Sequence, residues 1–269
     1  MIRRVLFSLA TFFALSLPAM AGNSLTEMAQ LEVLPGWERA DGTRVVGLHI
    51  KLAPGWKTYW RAPGDAGIPP EISLEGSRNL QTVSPEWPIP QVFSNNGMRS
   101  VGYHDEVVVP VILTPQQKGA PISLSGQLQI GICKDICMPA AFEFDTPLPT
   151  GSGTTDPRLR AALADQPRSG SEAGLGRIEC RVSVTPDGLS LDAEFVLPET
   201  GGDEFAVVET ADPEVWVAEA DTRREGNTLH VRTEMMHMEG GAFALDRSGI
   251  RITVLGSRDA VDIQGCPGP

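Results

Sequence analysis

The chain has 269 residues, of which 34 are acidic and 22 are Lys or Arg, and its formal net charge is −12 at pH 7. A protein this acidic is poorly suited to binding nucleic acid, whose phosphates attract Lys and Arg. Residues 1–21 have the order of a secretory signal: two arginines, an apolar run too short to span a membrane, and an Ala-Met-Ala cleavage site. We therefore predict a cleaved signal peptide and an exported, soluble protein in a compartment where disulfides persist.

Frequent turn residues divide the rest of the chain into short β-rich runs. With 28 glycines and 22 prolines, this pattern is typical of all-β sandwich domains. We expect Trp56, Tyr59 and Trp60 to pack in a core or an interface. Residues 88–102 predict a long irregular loop. The strands predicted in the first half cover residues 43–52, 56–61, 70–74, 80–83, 106–114, 122–132 and 141–146.

Two of the four cysteines, Cys133 and Cys137, lie close together in the stretch GQLQIGICKDICMPA. A fully extended strand would place their Cα atoms about 13 Å apart, whereas a disulfide needs about 4.4–6.8 Å. The chain must therefore turn between them if they pair. A five-residue loop stabilises a fold by only ~2 kcal/mol, and a short bridge is easier to reduce. We favour a redox-active dithiol over two alternatives, an inert turn staple and a metal-thiolate pair.

Three runs of the first half are specific in combination: APGWKTYWRAPGDAGIPP, GMRSVGYHDEVVVPV and GICKDICMPA. They resemble the periplasmic N-terminal region of the DsbD/ScsB family of transmembrane thiol:disulfide interchange reductases. The resemblance implies an immunoglobulin-like domain with a working cysteine pair, here Cys133 and Cys137. In the family, this pair takes electrons from a membrane-embedded domain and passes them to periplasmic thioredoxin-like proteins. The three-residue gap between the cysteines is more similar to ScsB than to DsbD.

The resemblance also implies an aromatic cap over the cysteine pair. Phe93 is the first candidate for this cap and Tyr103 the second, with core packing of Phe93 as the alternative. His104 is expected to be a surface residue rather than a base. The family continues into a membrane domain and a thioredoxin domain, and neither follows here. We therefore expect a separate membrane electron donor of the CcdA or DsbD transmembrane-domain type, and no cofactor.

A change of composition divides the chain into a first domain over residues 23–149, a linker over 150–176 and a second domain over 177–269. The linker is rich in Gly, Ser, Thr and Pro, and Asp156-Pro157 predicts the N-terminus of a short helix. About eight short strands in the last part indicate a second immunoglobulin-like sandwich. The fold-class prediction is therefore all-β, with two tandem immunoglobulin-like domains. The strands predicted in the second domain cover residues 178–185, 189–197, 204–209, 215–220, 228–236, 243–246, 250–255 and 260–263.

The other two cysteines, Cys180 and Cys266, lie at the two ends of the second domain. A bridge between them would close a loop of 87 residues, for which the chain-entropy model gives ~4.6 kcal/mol. We predict a structural disulfide here. A second redox relay is the sharper alternative, and no neighbouring residue supports it.

The consecutive residues Met235, Met236, His237 and Met238 carry groups that suit copper, and the last three are the candidate ligands. Alternate side chains of a strand face opposite sides, so the four cannot all face one ion, and packing is the favoured interpretation. A periplasmic copper-binding or copper-tolerance protein, in which Cys133 and Cys137 also hold Cu(I), is the rival function. A third alternative is a non-catalytic interaction module whose disulfides are only structural.

Overall fold

The structure, a computed structural model, describes residues 24–95, 97–151, 153 and 155–268. The signal peptide predicted over residues 1–21 lies outside the described residues. Within the described ranges, no helix has both the length and the apolar character needed to cross a membrane.

The first half of the described chain forms two antiparallel sheets after a short helix. One sheet has the strand order β1-β2-β8-β5, and the other has the order β10-β9-β3-β7-β6 with β4 paired to β9. The elements are α1 (Ser24–Met28), β1 (Ala29–Glu38), β2 (Arg44–Leu52), β3 (Lys57–Tyr59), β4 (Glu71–Ser73), β5 (Thr82–Pro85), β6 (Gln91–Asn95), β7 (Met98–His104), β8 (Glu106–Thr114), β9 (Ile122–Cys133) and β10 (Cys137–Leu148).

The first hydrophobic core lies between these two sheets. In β9, the side chains of Leu128, Ile130 and Ile132 are buried, whereas that of Gln129 is exposed. This alternation follows from the period of two residues in a strand, which sends every second side chain to the same face. Trp60 is fully buried in this core, as expected from the sequence.

Helix α2 (Pro157–Ala164) covers the outer face of the sheet that contains β2 and β8. Asp156 caps its N-terminus by accepting a hydrogen bond from the Arg158 amide at 2.8 Å, so the predicted helix start is confirmed. Leu159 is fully buried in one cluster with Val108 of β8. The first part of the linker is therefore packed onto the first domain.

The second half of the described chain forms two further sheets around its own core. One has the order β11-β19-β18-β14, and the other has the order β12-β13-β17-β15 with β16 paired to β17. The elements are β11 (Arg168–Ser169), β12 (Ile178–Val184), β13 (Leu189–Val196), β14 (Phe205–Glu209), β15 (Val215–Val217), β16 (Asp221–Glu225), β17 (Thr228–His237), a 3-10 turn (Arg247–Gly249), β18 (Arg251–Leu255) and β19 (Ala260–Gln264).

One strand prediction in this half was wrong, and one strand was not predicted. Residues 243–246 form an irregular segment rather than a strand. Their alternating apolar side chains, Phe243 and Leu245, still pack against the core. Asp221–Glu225 form β16 although the sequence DTRRE is highly charged. Its backbone pairs with β17 while its side chains alternate between exposed and half-buried positions.

The predicted fold class, all-β with two tandem immunoglobulin-like sandwiches, is confirmed by the four sheets and the two main cores. The end of the linker joins the second domain, since β11 pairs in parallel with β19. The boundaries at residues 149/150 and 176/177 remain predictions.

Candidate active site

The hairpin formed by β9 and β10 brings Cys133 and Cys137 together. The two residues are direct cross-strand partners with Cα atoms 4.2 Å apart, and their sulfurs are bonded. The turn required by the sequence argument is therefore present. It consists of Lys134, Asp135 and Ile136, which are all exposed.

The two cysteines of this disulfide differ in their exposure to solvent. Cys133 is only 1% exposed, because β9 lies inside the sheet between β10 and β3. Cys137 begins β10, the edge strand, and is exposed. A thiolate from another protein therefore reaches the sulfur of Cys137 first, whereas the sulfur of Cys133 is shielded by its own sheet.

The hydroxyl of Tyr59 lies against both sulfurs, at 2.7 Å from Cys133 Sγ and 3.0 Å from Cys137 Sγ. Tyr59 is 2% exposed, and burial raises the pKa of its phenol above the usual value. The hydroxyl therefore keeps its proton at neutral pH and is available as a hydrogen-bond donor. The packing role predicted for Tyr59 agrees with its burial, whereas its contact with the two sulfurs was not predicted from the sequence.

Glycines make room for the Tyr59 ring on the surface of the sheet. A Cβ atom at Gly131 would lie 2.9 Å from Tyr59 Cδ2 and 2.6 Å from Ile68 Cβ, and one at Gly67 would lie 2.9 Å from Tyr59 Cδ1. The phenol oxygen also lies 3.4 Å from the carbonyl of Ala66. The ring is thus held between β9 and the loop over residues 63–69.

A lysine lies beside the disulfide, and an aromatic residue lies beside that lysine on the same face of the sheet. Lys57 is the cross-strand partner of both Cys133 and His104, and paired side chains share a face. Its ammonium donates to Ser100 Oγ at 3.1 Å and lies 5.0 Å from the ring centroid of Phe93. Burial lowers the pKa of Lys57.

Phe93, the first candidate cap, is half-buried beside this lysine. Its ring centroid is 4.4 Å from that of His104, in a tilted arrangement. His104 is exposed at the end of β7, which agrees with the surface position expected from the sequence. Phe93 thus lies over the face that carries the disulfide, between an imidazole and an ammonium group.

A family profile described as thiol:disulfide interchange protein DsbD, N-terminal, matches residues 30–149. Residues 30–149, which make up most of the first domain, are therefore similar to the N-terminal region of this family. The matched segment contains the cysteine pair, Tyr59 and Lys57. The first domain is therefore a thiol:disulfide interchange module of the DsbD type.

One solved structure extends the similarity of fold to 94% of the chain. The N-terminal periplasmic domain of ScsB from Proteus mirabilis aligns over 94% of this chain and 96% of its own, with a TM-score of 0.66 and 21% identity. At this identity the match shows a shared fold for both domains. The reduced DsbD N-terminal domain of Neisseria meningitidis covers 51% of this chain and 96% of its own, at 19% identity and a TM-score of 0.29. No curated protein sequence matches the chain.

Tyr103, the second candidate cap in the DsbD-type domain, is a core residue, and that prediction was wrong. Its cross-strand partner is Thr58, the neighbour of Lys57, so its side chain faces away from the disulfide. Tyr103 is 6% exposed and donates a hydrogen bond to the carbonyl of Pro88 at 2.8 Å. The sequence indicated a loop over residues 88–102, so it did not determine which face of the sheet the side chain of Tyr103 points to.

The second pair, Cys180 and Cys266, is also bonded, with Cα atoms 5.6 Å apart. Both cysteines are buried in the core of the second domain. Arg247 donates to the carbonyl of Cys180 at 2.9 Å, and the amide of Cys180 donates to the carbonyl of Pro267. This bridge ties the end of the chain to β12 and offers no accessible sulfur.

Met236 and His237, two residues of the copper alternative, do not face one ion in the structure. Met236 pairs with Trp216 and His237 pairs with Val215, so these two neighbours face opposite sides of β17. His237 Nε2 lies 3.4 Å from a carboxylate oxygen of Glu214. In the part of the chain that the structure describes, no three His, Cys, Asp or Glu side chains are grouped as a metal site would require.

Proposed function

We propose that this protein relays reducing equivalents by dithiol–disulfide exchange through Cys133 and Cys137, as a protein-disulfide reductase type of oxidoreductase. The observation that carries the proposal is the asymmetry of the bridge. Cys137 is exposed, Cys133 is buried, and the Tyr59 hydroxyl is within hydrogen-bond distance of both sulfurs. A disulfide that only stabilises a turn needs neither an accessible sulfur nor a hydrogen-bond donor directed at its sulfurs.

Reduction of the bridge begins at the exposed sulfur. A thiolate of a reduced donor attacks Cys137 Sγ, the bond between the two cysteines breaks, and Cys133 leaves as a thiolate. The product is a mixed disulfide between Cys137 and the donor. A second donor thiolate then attacks the donor sulfur of this mixed disulfide and expels Cys137 as a thiolate. The donor dithiol becomes a disulfide, and this chain gains two electrons.

Tyr59 assists both displacements by stabilising the sulfur that leaves. A hydrogen bond to a thiolate favours the charged form and lowers the pKa of that thiol. A thiol of lower pKa is a better leaving group. Because burial raises the pKa of Tyr59 itself, the phenol remains a donor throughout the exchange. Tyr59 is therefore the residue that we assign, with the two cysteines, to the catalytic group.

Electrons leave by the reverse sequence. The Cys137 thiolate attacks an acceptor disulfide, expels one acceptor thiolate and forms a mixed disulfide. Cys133 then attacks Cys137 Sγ, closes the bridge and releases the second acceptor thiolate. Phe93, lying over the same face, is the proposed cap that limits access to the reduced pair between encounters.

The partners and the compartment follow from the family and form part of the proposal. The donor is a membrane-embedded protein of the CcdA or DsbD transmembrane-domain type, and the acceptors are thioredoxin-like proteins. We place the protein in the periplasm, exported by the signal over residues 1–21. The bridge between Cys180 and Cys266 is structural, because both sulfurs are buried in the second core.

Trapping with single-cysteine variants tests this assignment. In Cys133→Ser, the exposed Cys137 remains and is expected to accumulate a mixed disulfide with an oxidised thioredoxin-like protein. In Cys137→Ser, the buried Cys133 remains and is expected to trap at least about tenfold less, since exchange requires access to the sulfur. Equal trapping by both variants, or trapping by neither, would contradict the proposed roles. Cys180→Ser is the control for nonspecific exchange through an opened second bridge.

A further inference from the structure

Two arginines of the first domain are anchored in the second domain. Arg61, which follows β3, donates through Nε and Nη2 to both carboxylate oxygens of Glu209, at 3.1 and 2.9 Å. Its Nη2 also donates to Thr253 Oγ1 at 3.1 Å, and its guanidinium lies 3.8 Å from the ring centroid of Trp60. The side chains of Arg61 and Glu209 are only 14% and 21% exposed. A planar, two-point ion pair of this kind fixes both position and orientation.

Arg99 of β7 makes the second anchor. Its guanidinium forms an ion pair with Glu219 and lies 4.5 Å from the ring centroid of Phe205. Phe205 is 5% exposed and belongs to the core of the first domain, together with Leu255 and Ala260 of the second. The two domains are thus joined by buried apolar contacts as well as by charge.

Both anchors adjoin the residues that surround the disulfide. Arg61 lies two positions after Tyr59, and Arg99 immediately precedes Ser100, which accepts the hydrogen bond of Lys57. Between the anchors, the amide of Trp60 donates to the carbonyl of Val101 at 3.0 Å, and the amide of Val101 donates to the carbonyl of Pro63 at 2.9 Å. The loop over residues 63–69, which contacts the Tyr59 ring, is therefore hydrogen-bonded to the segments that carry Arg61 and Arg99.

We propose that the second domain positions the redox site, and that Glu209 is its principal positioning residue. By holding Arg61, Glu209 fixes the end of β3 and the start of the loop over residues 63–69. These segments in turn keep the Tyr59 hydroxyl against the two sulfurs. The inference rests on the proposed function in one respect, since it takes the bridge between Cys133 and Cys137 to be an exchanging one.

The chain offers a matched control at the other end of β14. Glu204, just before that strand, forms a two-point ion pair with Arg224 at 2.5 and 2.7 Å, and these side chains are 6% and 15% exposed. The two pairs have the same chemistry and comparable burial. The pair of Glu204 lies entirely within the second domain, whereas that of Glu209 crosses to the redox site.

The test compares Glu209→Gln with Glu204→Gln in the full mature chain. The readout is the pKa of the accessible thiol Cys137, from the pH dependence of iodoacetamide alkylation of the protein with the first bridge reduced. We expect Glu209→Gln to raise this pKa and to lower the alkylation rate at pH 7 by about threefold, which corresponds to half a unit. Glu204→Gln is expected to leave both unchanged. Arg61→Lys, which keeps the charge but loses the two-point geometry, provides the same comparison if Glu209→Gln does not fold.

A double-mutant cycle then asks whether Glu209 acts through Tyr59. If it does, Glu209→Gln changes the alkylation rate of a Tyr59→Phe protein by less than about twofold, because the contact that it positions is already gone. Additive effects, or equal effects of Glu209→Gln and Glu204→Gln, would overturn the inference. A failed proposed function has a different signature, since Cys133 and Cys137 would then not exchange with glutathione even in the unmodified protein.

Discussion

The Tyr59 hydroxyl is 2.7 Å from the sulfur of Cys133, a buried residue 74 positions away in the chain. A phenol whose pKa is raised by burial remains a donor, and the cysteine that it contacts is the one that must leave as a thiolate when the bridge is attacked. The contact thus connects the packing of β3 against β9 to the reactivity of the disulfide.

Removal of this hydroxyl should weaken the thiolate form. A hydrogen bond to a charged group contributes ~1.5–3 kcal/mol, so Tyr59→Phe is expected to raise the pKa of the accessible thiol by about one unit. Alkylation of the reduced pair, followed as a function of pH, measures this change. Tyr103→Phe is the matched control, because Tyr103 is also buried but bonds to the Pro88 carbonyl. A similar pKa change in both variants would mean that the effect is not local to Tyr59.

The cap assignment predicts a change of access rather than of pKa. Phe93→Ala should speed alkylation of the reduced pair severalfold while leaving the pH midpoint in place. Val92→Ala, at the neighbouring exposed position of β6, should have no effect. Alkylation rates that do not change in Phe93→Ala would remove Phe93 from the cap role.

We expect the Lys57 ammonium to hold the Phe93 ring in its position over this face of the sheet. Its ammonium contacts the Phe93 ring and donates to Ser100, and each interaction is worth ~1 kcal/mol. We therefore expect Lys57→Met, which keeps the length and loses the charge, to accelerate alkylation as Phe93→Ala does. Lys57→Arg should remain close to the unmodified protein. If Lys57→Met alkylates at the unmodified rate, the ammonium does not fix the position of the ring.

The close packing of the Tyr59 ring against Gly131 predicts that any side chain added at position 131 lowers the stability of the fold. The added Cβ of Gly131→Ala would overlap Ile68 and the Tyr59 ring, so we expect a loss of ~1–3 kcal/mol in unfolding free energy. The Tyr59 hydroxyl would also move, which should raise the thiol pKa as Tyr59→Phe does. Gly202→Ala is the control, since no atom lies within 4 Å of its added Cβ. Urea unfolding and alkylation together separate a stability loss from a change at the site.

Helix α2 should respond to acid through its cap. The Arg158 side chain, by hydrogen bonding, lowers the pKa of Asp156 to about 2. A carboxyl whose folded pKa is below its unfolded value stabilises the fold above the unfolded pKa, and this contribution is lost as pH falls through the folded pKa. Asp156→Ala is therefore expected to cost ~1 kcal/mol at pH 7 and progressively less between about pH 4 and pH 2. A penalty that is constant over this range would contradict the assigned ionic contribution.

The sequence predicts those features that depend on local patterns. The turn between Cys133 and Cys137 follows from chain length, the start of α2 follows from Asp156-Pro157, and most strands follow from alternation. Tyr59 could not be assigned in this way, because its role depends on the register of β3 against β9. A shift of one residue in that register would turn its side chain into the core.

The error at Tyr103 has the same origin. Phe93 and Tyr103 were both placed near the disulfide by resemblance, but β6 and β7 form a hairpin where the sequence indicated a loop. In that hairpin, Tyr103 faces the core and its neighbour His104 faces the side of the disulfide. Facing within a strand is determined by pairing with distant residues, which a single sequence does not display.

The reduction potential of the bridge between Cys133 and Cys137 tests the central claim most directly. The mature protein would be equilibrated in thiol redox buffers and the free cysteines identified by alkylation and peptide mapping. We predict that this bridge opens at potentials above about −300 mV, the limit below which structural disulfides typically lie, while Cys180 and Cys266 stay bonded. The account would be contradicted if the bridge between Cys133 and Cys137 stays bonded at this potential and at more reducing ones. It would also be contradicted if this bridge opens only after the one between Cys180 and Cys266.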